Sequence, residues 1–438
     1  MPFRNRNYRL LWIANLIASF SGHVAMIAFP LAAIRHLGAG EWEMGLLVAV
    51  ETLPFVLFSL PSGALVDRFA THKVVLWCFV ALALATVIVP LSFALGAAHM
   101  GWLYLAGFLM GTVMCLEGVA AQVFTTELVS RKALVEANAW MMGTESGLKL
   151  IAPAAGGMLV EWLGAPMTLW CEVLLVGMAA LVLTRIRHEA TRERPAPRPL
   201  AETLLPLIAE GVRAVWQSPI LRSAALVVML WQLLWHGVYA MLVLYATRDV
   251  GLSAAQLGLA SACGAAGVLA ATMGSKRIEL RLGLGKGMLI GLAGAGLGWG
   301  LMAGVVALPA GMRFWAFALS YAVMDFGLTI GFVCYLSLRQ VVAADHLLGR
   351  VVATMRFSNL LLAPFGSALF GALAKAAGMP WAFGLAAGLC LLLTLAASFT
   401  VLVKVRSAAA EEERRRLATA ETPELQATPD AAPGWAAR

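Results

Sequence analysis

The sequence predicts an all-α membrane protein of twelve transmembrane helices in two six-helix, pseudo-symmetric halves. Three observations carry this. Apolar runs long enough to cross a bilayer as helices, which takes roughly 20 residues, recur along the whole chain. The 438 residues are 61% hydrophobic and only 13% charged, with mean hydropathy +0.82, more apolar surface than a soluble core of that size can use. Small residues also repeat between the halves. Gly63 matches Gly274 and Ala152-Pro153 matches Ala363-Pro364 at an offset of 211, while Gly38 and Gly45 match Gly251 and Gly258 at 213. The change of offset implies a slip within the second or eighth span.

The spans are predicted at 10–35, 43–66, 74–97, 101–126, 136–161, 166–185, 219–246, 253–275, 285–309, 312–339, 349–376 and 380–404. Arg4, Arg6 and Arg9 precede the first, but the apolar run is too long for a signal peptide and ends without a cleavage site. Residues 187–218 break the pattern with Arg192, Arg194, Arg198, Pro195, Pro197 and Pro199, then turn amphipathic over 200–216. The chain therefore divides into an N-terminal bundle (1–186), a cytoplasmic linker with a surface helix (187–218), a C-terminal bundle (219–404) and a largely disordered cytoplasmic tail (405–438).

An even number of spans puts both termini on one side. Only Arg35, Arg248, Arg313 and Lys375 fall on the other side, against about two dozen Lys and Arg that include Arg131, Lys132, Arg185, Lys276, Arg277, Arg281, Lys286, Arg350 and Lys404. Cytoplasmic loops carry the excess of basic residues, so both termini are expected in the cytoplasm, with the chain in a bacterial inner membrane. The net charge of +8 is scattered through loops, which argues against nucleic acid and for topology signals and contacts to anionic lipid. Cys78, Cys115, Cys171, Cys263, Cys334 and Cys390 all lie in apolar runs without a Cys-x-x-Cys pair, and read as small buried hydrophobes.

The stretch 63–73, Gly-Ala-Leu-Val-Asp-Arg-Phe-Ala-Thr-His-Lys, joins two long spans as a tight hairpin. Arg68 and Lys73 mark a cytoplasmic end, Asp67 is placed to cap the next helix or pair with Arg68, and Gly63 allows close approach of a neighbouring helix. Gly63, Asp67, Arg68 and Lys73 fit a pattern, Gly-x-x-x-Asp-Arg/Lys-x-Gly-Arg-Arg/Lys, found between helices 2 and 3 of the major facilitator superfamily. Ala70 replaces its second Gly, and Thr71 and His72 weaken its basic run. Asn5-Arg6-Asn7-Tyr8-Arg9-Leu10, Ser19-Phe20-Ser21-Gly22, Glu136-Ala137-Asn138-Ala139 with Pro153 and Gly156-Gly157, and Gly349-Arg350-Val351 with Pro364 and Gly366 extend the likeness over nearly the whole chain. Together they resemble the branch containing the bacterial enterobactin exporter and macrolide efflux proteins. That resemblance implies proton-driven export of small molecules through a cavity lined by helices 1, 4, 7 and 10.

An ionisable group in the bilayer core costs at least roughly 2.5–3.5 kcal/mol, so each needs a reason. His23, Glu117, Lys149, His236 and Asp325 lie near the expected midplane, and Glu51, Glu145, Glu172 and Arg356 nearer the span ends. If the resemblance holds, His23, Glu117, His236 and Asp325 stand on cavity-lining helices. Glu145 and Lys149, four residues apart, form either a self-neutralised pair on one face or, with Arg356 at the matching place in the other half, a charge pair that holds a gate. His23 and His236 are 213 apart and so repeat mates. Each is either a titrating group or a neutral ring bonded to a backbone carbonyl. Trp231, Gln232, Trp235, His236 and Tyr239 put aromatic and polar groups on one span, which suits a wall for a bulky, partly apolar solute or plain packing.

Similar exporters often have a proton-carrying acid after the Ser-x-x-Gly of helix 1. Here that place is His23, so the proton carrier is His23 itself or a carboxylate elsewhere, with Asp325 ahead of Glu117. Desolvation favours the neutral form of a carboxylate and suits it to this task. The glycine run 291–300 has no preceding strand, and Gly283-Leu284-Gly285-Lys286-Gly287 lacks a Walker pattern. No ATP site, metal site or other cofactor is therefore expected, and the energy source is an ion gradient. The expected function is secondary active, proton-coupled export of small amphiphilic compounds, drug-like or siderophore-like, by a monomer working through alternating access. The partners are the small-molecule substrate, protons and membrane lipid. A lysophospholipid or other lipid flippase of the same superfamily is the alternative. An enzyme or sensor would need a compact polar constellation at one membrane face, which the sequence lacks.

Overall fold

The computed structural model describes residues 2–130, 133–186, 200–344 and 347–406. The charged, proline-rich part of the linker, the tail beyond Arg406, and Arg131 and Lys132 lie outside the described residues. The helices are α1 (Arg6–Leu37), α2 (Glu41–Arg68), α3 (Thr71–Ala94), α4 (Met100–Leu128), α5 (Leu134–Leu163), α6 (Ala165–Thr184), α7 (Leu200–Gln217), α8 (Pro219–Leu244), α9 (Ala254–Leu282), α10 (Leu284–Gly304), α11 (Ala310–Val342), α12 (Leu348–Leu361), α13 (Ala363–Ala377) and α14 (Met379–Ser398).

Eleven spans, one of them formed by α12 and α13 together, are long and apolar enough to cross a membrane. With Glu145 and Lys149 along its length, α5 is more polar, but its 30 residues lie in the same bundle against α1 and α9 and make the twelfth span. The surface helix expected over 200–216 is α7. It docks on α12, where Glu210 pairs with Arg350 and a Cβ at Gly211 would meet the Arg350 carbonyl oxygen at 2.9 Å.

Three differences from the sequence reading have local causes. The second span runs on to Arg68 and the third begins at Thr71, so the hairpin turn is only Phe69 and Ala70, and Asp67 lies in the last turn of α2. Polar residues continue a helix at no cost once it leaves the apolar layer. The seventh span ends in a π-helical turn, Tyr245–Asp249, which carries Arg248 outward. The eleventh span breaks at Leu362, because Pro364 in the first turn of α13 has no N–H for the preceding turn. Its repeat mate α5 passes through Pro153 unbroken.

The halves repeat in their contacts. In the N-terminal half α1 packs on α5 and α6, α4 on α2 and α3, and α3 on α6. In the C-terminal half α8 packs on α13 and α14, α11 on α9 and α10, and α10 on α14, the same scheme six spans on. One close contact shows the exchange clearly. Gly156 of α5 lies under Val24 of α1, and in the other half Gly237 of α8 lies under Phe370 of α13, so the glycine has moved to the opposite helix while the approach is kept. Between the halves, α2 packs on α13 and α5 on α9.

Candidate functional site

The two halves meet closely at the end of the molecule opposite the chain termini. A Cβ at Gly45 would lie 2.6 Å from the Ser367 carbonyl oxygen, and one at Gly371 would lie 2.8 Å from that of Glu41. On the other side of the pseudo-twofold, a Cβ at Gly258 would be 2.3 Å from the Pro153 carbonyl oxygen, and one at Gly157 2.3 Å from that of Ala254. These two glycine seams, α2 on α13 and α9 on α5, are repeat mates at offsets of 213–214. The contacts thus continue the offset read at Gly38 and Gly45, not the 211 read at Pro153 and Pro364. Polar bonds close the same end. Arg248 pairs with Glu41 across the halves, and Glu161 of α5 accepts from the Ala254 N–H at the start of α9 at 3.2 Å. One buried core, containing Met44, Leu47 and Leu169 together with Trp231, Leu257 and Phe370, runs through both halves here.

Toward the other end the halves part. A separate core around Tyr8, Leu11, Val75 and Phe124 belongs to the N-terminal half alone. Along α5, buried Ala152 and Val160 give way to exposed Asn138, Ala139, Trp140, Met142 and Ser146. A Cβ at Gly63, Gly143, Gly147 or Gly274 would meet nothing within 4 Å. The close approach expected at Gly63 is therefore not made, because the helices around it have separated at this end.

A polar layer lies roughly 5–12 Å of helix beyond the seams. His23 of α1 faces Glu145 of α5, Nε2 to Oε1, at 3.1 Å, and Ser19 also hydrogen-bonds Glu145. Lys149 acts on Glu145 from the same helix and on Asp325 of α11 from across the halves. Asp325 packs beside Gly264 of α9, as does Tyr321, whose hydroxyl is held by Ser261. Tyr321 in turn neighbours Tyr239 of α8, and Tyr239 lies within electrostatic range of Glu51 of α2. Glu51 is tucked against Gly107 and Gly111 of α4. Charged and phenolic groups from both halves thus share one layer of the bundle, bonded at His23–Glu145 and Ser261–Tyr321 and acting on one another through space elsewhere.

The expected site residues divide accordingly. His23, Glu145, Lys149, Asp325 and Tyr239 come together. Arg356 does not meet Glu145. It is exposed on α12, has no ion-pair partner among the described residues and acts instead on Cys115 of α4, because Glu145 is turned toward α1. Glu117 stands apart, within electrostatic range of Cys78 on α3. Trp231 is 1% exposed and stacks on Trp299 of α10 at 5.9 Å, so it is packing rather than wall. Trp235 and Tyr239 continue the stack at 5.8 and 5.9 Å into the half-buried zone, with Gln232 alongside. His236 donates from Nδ1 to the Gln232 carbonyl at 2.9 Å, the carbonyl-bonded alternative, unlike its repeat mate His23. Arg68 and Lys73 are exposed at the open end, and the Asp67 side chain lies outside the described residues.

Ser261 and Tyr321 were not singled out in the sequence, and Glu51 was noted there only as an ionisable group nearer a span end. The available signal was Glu51 itself, the one acid between Met44 and Pro61. Glu172 of α6 is also more central than expected. It is 3% exposed, its backbone carbonyl accepts from Ser21 of α1, and among the described residues its Oε2 has no hydrogen-bond partner.

The comparisons with known proteins agree with this architecture. The profile of the transmembrane secretion effector family matches residues 1–434. The multidrug efflux pump Tap of Mycolicibacterium fortuitum is 26% identical over 383 residues, covering 84% of this chain and 90% of that one. The enterobactin exporter EntS of Shigella flexneri is 27% identical over 410 residues, covering 91% and 92%. Among solved structures, a bacterial homologue of the iron transporter ferroportin in an inward-facing state aligns with TM-score 0.67 at 16% identity, over 90% of this chain and 99% of that one. The nucleoside transporter NupG aligns at 0.70 and 12%, with the same coverage. The structural likenesses show the fold, and the family match decides membership: the chain belongs to the transmembrane secretion effector family of the major facilitator superfamily and is a multi-span membrane transporter, not an enzyme.

Proposed function

We propose that this protein exports small amphiphilic compounds by alternating access, driven by protons, with the open end and both termini in the cytoplasm. The observation that carries the reading is the polar layer joining the halves just beyond the closed seams. Trp235, Gln232 and Tyr239 offer a solute an aromatic face with polar edges beside that layer. The relatives whose names describe a multidrug efflux pump and an enterobactin exporter support the substrate class.

Asp325 is the proposed proton carrier. Ionised, it attracts Lys149 across the halves and favours the arrangement in which the two stay close. Protonated, it no longer attracts Lys149, which is left to Glu145, itself already bonded to His23. A proton taken up at Asp325 therefore changes which half Lys149 is tied to. That is a two-state contact of the kind a rocking transporter needs. Glu117, away from this layer of groups, is secondary.

The test is proton flux and uphill transport in proteoliposomes, using drug-like amphiphiles and siderophores as probes. Asp325→Asn is expected to lose uphill transport at least tenfold while retaining downhill movement. Glu117→Gln is expected to keep most of the coupling. If the double carboxylate variant still moves substrate uphill along an imposed pH gradient, the assignment to carboxylates fails. Loss of coupling in His23→Ala alone would move the carrier to α1.

A further inference from the structure

A cavity of about 500 Å³ opens at the end of the molecule that holds the chain termini, where α9 ends, α10 begins and the 3₁₀ turn Val401–Lys404 leads away. Its wall carries four cations, Arg281, Lys286, Lys404 and Arg406, against one carboxylate, Glu279. All four cations are exposed, and among the described residues none has an ion-pair partner. They come from three separate elements and are brought together by backbone. The Leu284 N–H donates to the Arg406 carbonyl at 3.3 Å and the Gly285 N–H to that of Val405 at 3.2 Å. At Gly285 a Cβ would stand 1.7 Å from the Leu402 carbonyl oxygen, so a side chain there would push the segment off. Gly283, at φ 82°, makes the turn. Lys404 and Arg406 are thus fixed on the same cavity as Arg281 and Lys286.

We propose that this cavity binds the phosphate-bearing headgroup of an anionic lipid. Basic residues that serve only as topology signals need no common concavity and no backbone staple to hold them. Here an excess of three positive charges faces a space large enough for a glycerophosphate group. The apolar part of a lipid has a place as well. Leu280 is 63% and Leu282 40% exposed on the same wall, with Val403 beside them, so chains leaving the headgroup meet apolar side chains. A soluble phosphate shares the headgroup's chemistry but makes no use of those leucines. The site is remote from the polar layer, so its occupation acts on the packing of α9, α10 and the segment after α14 rather than on the solute.

The experiment is thermal unfolding of the full-length protein in phosphatidylcholine nanodiscs, with and without phosphatidylglycerol, and separately with inorganic phosphate. Phosphatidylglycerol is expected to raise the wild-type midpoint by several degrees, and inorganic phosphate to do far less. The variant R281Q/K286Q/K404Q/R406Q should lose at least half of that rise, while K276Q/R277Q, neutralised nearby on α9 but off the cavity wall, should keep it. If the fourfold variant does not fold, K286Q and R406Q singly should each lose part of the rise. Equal rises in wild type and cavity variants, or no rise in the wild type, would overturn the site. A full rise with inorganic phosphate alone would overturn the lipid in favour of a soluble phosphate.

Discussion

His23 and Glu172 show how differently two ionisable residues within one half can be treated. His23 has a carboxylate at 3.1 Å, on α5, which also packs on α9 of the other half. Glu172 is buried, its backbone carbonyl accepts from Ser21 of α1, and among the described residues its Oε2 has no hydrogen-bond partner. A buried polar atom left without a partner costs about 1–3 kcal/mol. Glu172→Met, similar in volume and free of that penalty, is therefore expected to raise stability by an amount in that range and leave transport within twofold of wild type. The measurements are the unfolding midpoint in detergent and uptake in vesicles. A tenfold loss of transport in a stable variant would instead make Glu172 part of the coupling route. Both are ionisable groups in apolar runs, and the sequence separated them only by depth, with His23 near the expected midplane and Glu172 nearer a span end. What separates them is which neighbouring helix each faces, and that is decided by tertiary packing.

At the scale of helices, most of the fold was legible. Apolar run length gave the spans to within a few residues, apart from the extension of α9 to Leu282 and the earlier ends of α10 at Gly304 and α14 at Ser398, because the bilayer sets a minimum length that a soluble protein does not impose. The break at Leu362 and the π-helical turn after α8 were not legible, since Pro153 and Pro364 look equivalent by sequence and only their neighbours decide which one kinks. The glycine seams were half legible: Gly45 and Gly258 stood out as repeats and Gly157 within the family likeness, but Gly371 did not stand out. These seams carry a prediction about state. Gly258→Ala puts a Cβ 2.3 Å from the Pro153 carbonyl oxygen. Overpacking of this kind costs about 1–3 kcal/mol, enough to shift a two-state equilibrium roughly 5- to 150-fold. Because the clash exists only while the seam is closed, Gly258→Ala is expected to populate the form open at this end. A cysteine placed at Ala255 should then label several times faster with a membrane-impermeant reagent. Unchanged labelling with unchanged transport would mean the seam is not the moving contact.

The whole molecule has one end sealed and the other parted, and the charges differ between them. The sealed end carries four cations, Arg35, Arg248, Arg313 and Lys375, and three of them are matched locally. Arg248 pairs with Glu41 and Asp249, Arg313 donates to the carbonyls of Leu308 and Val306, and Lys375 lies within electrostatic range of Glu41. At the parted end Arg68, Lys73, Arg185, Lys276, Arg277, Arg281, Lys286, Lys404 and Arg406 are all exposed. Lys and Arg are retained on the cytoplasmic side during insertion, and their bias sets orientation when it lies in short loops near the span ends. The loops here meet that condition: α2 and α3 are separated by two residues and α9 and α10 by Gly283 alone. The sealed end is therefore expected to face outward. Reporter fusions that are active only outside the cytoplasm should be active after Gly38, His99 and Gly378, and inactive after Ala70, Gly283 and Arg406. Cytoplasmic signals at any two of the first three would invert the molecule in the membrane. The closed seams would then face the cytoplasm, and the same polar layer would have to take its substrate from outside.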